Sequence, residues 1–309
     1  MLTVGAFWET IYRPWVEKNK RFSTMRGYES VWNLYVKAEL ATKPIDSYHT
    51  IDASEFLTGL TARLNGKSLS HVRALMSGIF AHAVNTKGTN GKALIDRNPI
   101  RDVKVLANVG ESKERVAYTP EETIAIINAI QRTDAKLFFA LCAVLGMRPS
   151  EAAAVKWENV SEGLLKVREA APYGVLGQLK TNKSKRDLTI TEPVTSLLAT
   201  YRESLGNPKE GLLFESDGHP INHNGFAKYY IKPFAEKVCK RWNGCYSGRH
   251  GAATTLYNQE GDVRAAYQVL GNSLEVVMKT YVKPDVEQGR TGQAKYEQAL
   301  LKAMQQEKK

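Results

Sequence analysis

Three short stretches of this 309-residue chain carry side chains that can act on an anion. The first is YSGRHGAATTL, residues 246–256, in which Arg249 and His250 stand ahead of a run of small residues and Tyr246 lies three positions before the arginine. An arginine is charged at every accessible pH and offers a planar fork of donors, so one that opens a helix of alanines and threonines needs a partner that is anionic or structural. The second stretch is LGMRPSEAAAVKWENV: Gly146 ends one helix, Pro149 and Ser150 open the next, and Glu151 follows Arg148 by three residues on the same face, where its carboxylate can orient the guanidinium. In the third, LKTNKSKRD, the lysines Lys180, Lys183 and Lys185 crowd one polar turn, a pattern that also suits plain contact with backbone phosphates.

Composition agrees with an anionic partner. Lys and Arg number 43 against 32 Asp and Glu, a net charge of +11, which favours nucleic acid or, less often, an acidic membrane surface. Apolar residues make up 43% of the chain, enough for real cores, and the length points to two domains. Cys142, Cys239 and Cys245 are too few and too unevenly spaced for a disulfide framework or a zinc cluster, so a reducing compartment is expected and a metal site is not. The N-terminus lacks the features of a signal peptide, and no stretch approaches the roughly 18 apolar residues of a membrane helix. A cytoplasmic, nucleoid-associated protein that does not engage a membrane is expected.

The elements that must position these residues are mostly helical. Phe7, Ile11 and Trp15 fall four apart; Tyr28, Val31, Trp32 and Tyr35 repeat at three and four, with Ser23 placed to cap. A third helix fits residues 53–64 with Asp52 and Glu55 as a capping-box variant, and a fourth fits 70–84, where Val72, Leu75, Ile79 and Ala83 line one face. Residues 1–104 therefore read as a small helical bundle, 105–116 as an extended basic linker, and 117–290 as a second domain opened by the helix start Thr119-Pro120-Glu121-Glu122. In that domain 137–144 reads as a buried helix, and 164–167, 175–179 and 188–190 as short strands, the last two joined by the turn TNKSKRD. Helices are expected over 193–201, 226–242, 251–257, 263–270 and 274–281, and a tail helix over 293–306 with Tyr296, Leu300 and Met304 on one stripe. The fold class is mainly α with a small β-sheet.

The order Leu-Gly-Met-Arg148-Pro-Ser-Glu151, then Leu179-Lys180-Thr181, then Arg249-His250, Leu270-Gly271 and Thr280-Tyr281 resembles the phage-type integrases, the tyrosine site-specific recombinases. Each motif is weak alone; their order and spacing are specific, and the resemblance covers nearly the whole chain. It implies a helical core-binding (SAM-like) bundle followed by an α+β catalytic domain. It also implies a DNA strand transferase that needs no cofactor, in which Tyr281 forms a 3′-phosphotyrosyl bond, Arg148 and Arg249 clamp the scissile phosphate, and Lys180 protonates the leaving 5′ oxygen. Such roles suit the residues: a tyrosine can attack phosphorus and stay attached, and arginines can hold the charge that develops on the nonbridging oxygens.

The departures are at two positions. The family's usual histidine three residues before the second arginine is Tyr246 here, and the usual His or Trp after Leu-Gly is Asn272. Each can donate a hydrogen bond, but neither titrates near neutral pH. His250, one residue past Arg249, points about 100° away on a helix and reads as a packing residue.

For DNA, the two-domain plan suits a C-shaped clamp around a duplex, with Lys67, His71, Arg73 and Lys104 as candidate contacts alongside Lys183 and Lys185. The expected partners are double-stranded DNA attachment sites, further copies of the chain in a tetramer on DNA through exchange of the tail at 291–309, and accessory DNA-bending proteins. Many integrases carry a further small amino-terminal domain for arm-type sites, whereas this sequence begins almost directly at the core-binding helices. Two competing readings remain: a DNA-binding protein that keeps the recombinase fold but has lost turnover, on the strength of Tyr246 and Asn272, and a type IB topoisomerase.

Overall fold

The computed structural model describes residues 2–88, 91–103, 116–181, 184–260 and 269–271, with backbone alone over 258–260. The chain forms two compact units, Met1–Glu114 and Arg115–Lys309. Tyr281, Asn272, Lys104, Lys183, most of the 105–116 linker and the helices expected over 263–268, 274–281 and 293–306 lie outside the described residues.

The described part of the first unit is helical. α1 (Val4–Phe7) runs through a π-turn at Trp8–Tyr12 into α2 (Arg13–Asn19), and α3 (Phe22–Val31) runs through a second π-turn at Trp32–Val36 into α4 (Lys37–Leu40). α5 (Thr50–Leu60) and α6 (Gly66–Val84) complete the bundle. Of the row expected at Phe7, Ile11 and Trp15, Phe7 is buried, Ile11 is half-buried and Trp15 is 36% exposed, whereas the adjacent row at Val4, Trp8, Tyr12 and Val16 is buried throughout. Trp8 stacks on Trp32 at 4.9 Å between ring centroids, which selects that row. On α6, Val72, Leu75, Ile79 and Ala83 are all buried as their spacing predicts, each large apolar side chain contributing about 1.5–3 kcal/mol. Two expected caps move. α3 begins after Arg21, leaving Ser23 inside the helix; α5 begins after His49, whose backbone N–H donates to Asp52 at 2.8 Å, so Asp52 is the third residue of that helix.

The second unit is built on α8 (Thr133–Ala143), a helix buried on nearly every side, as the apolar run at 137–144 predicts. α7 (Pro120–Ala129) leads into it, capped by Thr119, which accepts from Glu122 N–H at 3.2 Å while Glu122 accepts from Thr119 N–H at 2.8 Å. α9 (Pro149–Ala152) follows, then strands β1 (Val160–Ser161) and β2 (Leu164–Val167), with β3 (Glu169–Ala170), β4 (Gly177–Gln178) and β5 (Arg186–Thr189). α10 (Val194–Ser204), a small hairpin of β6 (Glu215–Ser216) and β7 (His219–Pro220), α11 (His223–Tyr230), α12 (Lys232–Val238) and α13 (Cys245–Glu260) complete the described elements. The helix expected over 226–242 is thus two helices, separated at Ile231 and ended at Cys239.

The strand pairing differs from the hairpin read in the sequence. β4 and β5 do not pair with each other; both pair antiparallel with the strand before them. Val167 faces Arg186, and two residues on Glu169 faces Gln178, so a single residue on one side opposes the seven residues 179–185 on the other. The long hairpin turns at 171–176, and Lys180 lies in the loop that follows β4.

Candidate active site

Gly146, with φ of +64°, turns the chain sharply after α8 and places Arg148 at the cap position of α9. Glu151, the third residue of α9, binds back on it twice: Oε2 accepts from the Arg148 backbone N–H at 3.0 Å and Oε1 from its Nη1 at 2.5 Å. Glu151 is 1% exposed, while the Arg148 side chain is 27% exposed. The three-residue spacing therefore does what the sequence reading asks of it.

A third arginine joins this pair. Arg186, at the head of β5, donates from Nη2 to Glu151 Oε2 at 2.9 Å, and Arg249 Nη1 lies 3.9 Å from the same oxygen. Burial favours protonation of Glu151, but Arg186, Arg148 and Arg249 outweigh it and hold the carboxyl below its ordinary value. Burial pushes the Arg249 pKa down, assisted by the like charge of Arg148 and opposed by Glu151; the group nonetheless stays a cation at neutral pH.

Arg249 lies in the second turn of α13, because that helix starts at Cys245 and not at 251. It is fully buried, donating from Nη1 to the carbonyl of Gly146 and from Nη2 to that of Leu270 at 2.7 Å. Sequence reading expects a phosphate at this guanidinium; the structure withdraws it from solvent and uses it to tie the α8–α9 turn to the 269–271 segment. Close packing makes this possible. A Cβ on Gly251 would stand 2.2 Å from the Tyr118 carbonyl oxygen, so only glycine lets α13 come this near. Tyr118 also fixes the helix start, accepting from Asn243 N–H at 2.6 Å and donating to the Gly244 carbonyl at 3.1 Å.

Tyr246, in the first turn of α13, is 44% exposed and packs edge-on to His250 with ring centroids 5.0 Å apart. His250 is 6% exposed, in keeping with its reading as a packing residue. A cleft of about 430 Å³ opens here, lined among others by Arg148, His223, Lys228, Lys232, Trp242 and Tyr246. Lys180 and Lys185, between β4 and β5, are exposed, and Lys67, His71 and Arg73 are exposed on α6 in the first unit, with Arg73 reaching the Arg101 carbonyl at 3.4 Å.

Sequence reading missed Arg186 and the cleft wall from α11 and α12. Arg186 lies in a basic turn where nothing marks one cation as buried. His223 and Lys228 face the cleft from a helix whose spacing indicates only where it packs, through Phe226.

The phage integrase family matches residues 117–288. Among solved structures, the fold is similar to that of the Tn1549 transposon integrase (residues 82–397) in complex with a circular intermediate DNA. That likeness has a TM-score of 0.72 and 17% identity, covering 96% of this chain and all of that one. A lambda integrase tetramer bound to a Holliday junction is similar at a TM-score of 0.67 and 17% identity, covering 93% of this chain and 81% of that one. The XerH site-specific recombinase bound to its difH substrate is similar at 0.65 and 18%, covering 94% and 85%. No curated protein sequence matches the chain. The family match spans more than half of the chain and contains the Arg148, Glu151 and Arg249 cluster, and this protein therefore belongs to the phage integrase family of tyrosine recombinases.

Proposed function

We propose that this protein cleaves and rejoins DNA strands at specific sites through a covalent intermediate on Tyr281. The observation that carries the reading is the convergence of Arg148, Arg186 and Arg249 on the buried carboxylate of Glu151 beside a basic cleft edged by Tyr246. Three guanidiniums against one carboxylate leave surplus positive charge next to a cleft, a setting suited to a phosphodiester. Family membership supports DNA breaking and rejoining as the activity.

In this reading the scissile phosphate seats against Arg148. The Tyr281 oxygen attacks phosphorus as its proton passes to solvent, the bond to the 5′ oxygen breaks, and Lys180 supplies the proton that the departing oxygen takes up. The strand is left joined to Tyr281 through its 3′ phosphate, so the bond energy is retained and a free 5′ hydroxyl can reverse the step. Arg249 stabilises the added charge from behind through its field, and Tyr246 donates a neutral hydrogen bond where relatives of this type use histidine. Asn272 would add a second neutral donor. Residues 1–104 would bind DNA through α6, with Lys67, His71 and Arg73 against phosphates, and the tail at 291–309 would pass between protomers in a tetramer on DNA.

The test uses a nicked suicide substrate drawn from DNA flanking the gene, incubated with wild type and with Tyr281→Phe and run on a denaturing gel. A covalent adduct confined to wild type is the expected result. Specific binding without an adduct from either protein would refute the reading.

A further inference from the structure

Arg186 reaches three segments at once. Nε donates to the Val269 carbonyl at 2.7 Å, Nη1 to the Ser184 carbonyl at 3.2 Å and Nη2 to Glu151 Oε2 at 2.9 Å. Those acceptors belong to the segment that also binds Arg249 through Leu270, to the end of the loop that carries Lys180, and to the helix that follows Arg148. The side chain is 6% exposed, so it is not a cleft arginine waiting for an anion. Gly271 lies against it, and a Cβ there would stand 3.0 Å from Arg186 Cδ. A lysine has one nitrogen and cannot span three acceptors arranged around a planar fork; the position is chemically an arginine site.

We propose that Arg186 is a positioning residue for strand cleavage, holding the Arg148 segment, the Lys180 loop and the Leu270–Gly271 segment in one registry through Glu151, Ser184 and Val269. The inference rests on the proposed function for what the held groups do. The holding itself rests on the hydrogen bonds. No contact with DNA is required of Arg186: it acts on the reaction by fixing where Arg148 and Lys180 stand. Removing it would leave DNA binding, which depends on many exposed cations, nearly as it was, and slow the chemical step.

The groups facing Glu151 are Arg148 from the cap that precedes its helix, Arg186 from β5, Arg249 from α13 and the Cys142 thiol from α8. With Arg186 gone, burial weighs more heavily and the carboxyl binds its proton more readily, so a chemical step that needs the carboxylate acquires an acid limb. A merely structural lesion lowers the rate by the same factor at every pH.

The experiment times adduct formation on the suicide substrate for wild type, Tyr281→Phe, Arg186→Gln, Arg186→Lys and the Arg186→Gln/Glu151→Gln pair, with DNA affinity measured in parallel. Arg186→Gln is expected to cleave about 100-fold more slowly than wild type with affinity within about twofold, and its rate to rise with pH where wild type is flat. The paired variant has no carboxyl left to titrate and loses that limb. If Arg186→Gln fails to fold, Arg186→Lys carries the test, with cleavage about tenfold slower and binding unchanged. A full cleavage rate in Arg186→Gln or, where that variant does not fold, in Arg186→Lys, or a loss in Arg186→Gln uniform across pH, would overturn the inference. An adduct present in wild type and absent in Tyr281→Phe would leave the proposed function standing in either case. An adduct retained in Tyr281→Phe would instead overturn the nucleophile, and the Arg186 comparison would still be read against wild type.

Discussion

Arg186 and Glu151 meet at 2.9 Å with side-chain exposures of 6% and 1%, an ion pair almost wholly removed from water. Desolvating two charges is expensive, and a pair of this kind offers little net stability over apolar residues of the same shape. Its value is geometric, because it fixes the carboxylate that in turn binds Arg148 at 2.5 Å. Breaking it is a different matter from never having built it. Glu151→Gln strands Arg186 and the fully buried Arg249 without their counter-charge, and is expected to cost about 3–5 kcal/mol in urea denaturation of the whole chain. A loss under about 1 kcal/mol would mean that the carbonyls of Gly146, Val269 and Leu270 suffice to hold both cations.

Glycine positions separate close packing from mere permissiveness. At Gly251 an added Cβ would lie 2.2 Å from the Tyr118 carbonyl oxygen, a backbone atom that cannot swing aside. Gly251→Ala is therefore expected to destabilise by at least about 1–3 kcal/mol and to shift α13 with its Arg249. Gly27, inside α3, has nothing within 4 Å of the same position, and Gly27→Ala is expected to stabilise by about 0.4–1 kcal/mol by reducing the freedom of the unfolded chain. Paired thermal melts decide both.

How much of this was legible beforehand depended on whether the signal was local. The apolar run of α8, the Thr119–Glu122 cap and the Arg148–Glu151 spacing are each set by neighbours within a turn, and each forms as read. Along the first helix two four-spaced apolar rows lie side by side, and although Phe7 of the expected row is buried, the fully buried row is the one that Trp32, remote from that helix in sequence, packs against. Strand pairing failed for a related reason. The turn TNKSKRD carries every local mark of a hairpin, yet its last two residues, Arg186 and Asp187, belong to β5, which pairs with β2 and not with β4. The burial of Arg249 is not legible in its neighbours, because it is fixed by the close approach of Gly251 to Tyr118 and by carbonyls distant in sequence.

Acid stability should report a second ion pair. Arg241 donates to Glu122 through Nε at 2.6 Å and through Nη2 at 2.5 Å, and that bond, helped by Thr119 N–H against a smaller burial effect, holds the Glu122 carboxyl down at about 2. Since the folded value lies below the ordinary 4.5, the stabilisation is complete above about pH 4.5 and is lost as pH falls towards 2. Arg241→Ala should flatten the stability profile across that window and leave its shape above pH 5 unchanged. An identical acid limb in both proteins would assign it to other carboxylates.

Tyr246 offers a cleaner test of the departure from histidine. Its ring packs edge-on to His250 and its side chain is 44% exposed at the cleft beside Arg148. Tyr246→Phe keeps the ring and removes the donor. A hydrogen bond to a charged group contributes about 1.5–3 kcal/mol, so adduct formation should slow by about tenfold or more with DNA affinity unchanged. Cleavage at the wild-type rate would reduce Tyr246 to packing against His250.

The helical unit can be tested without any cleavage. Lys67 and His71 stand four apart on the exposed side of α6, with Arg73 on the next row, while Val72, Leu75 and Ile79 of the same helix are buried in the bundle core. The helix thus has one face committed to folding and another free to meet a polyanion. Each phosphate contact releases condensed counterions, and the logarithm of the binding constant falls against the logarithm of salt concentration by about 0.9 per phosphate neutralised. Replacing Lys67 or Arg73 with alanine should weaken binding to all sequences alike and reduce that slope by about one for each contact removed. Loss of discrimination between sites with an unchanged slope would move these residues from the phosphates to the base edges. An unchanged affinity together with an unchanged slope would leave α6 facing solvent and shift the basic footprint to the second unit.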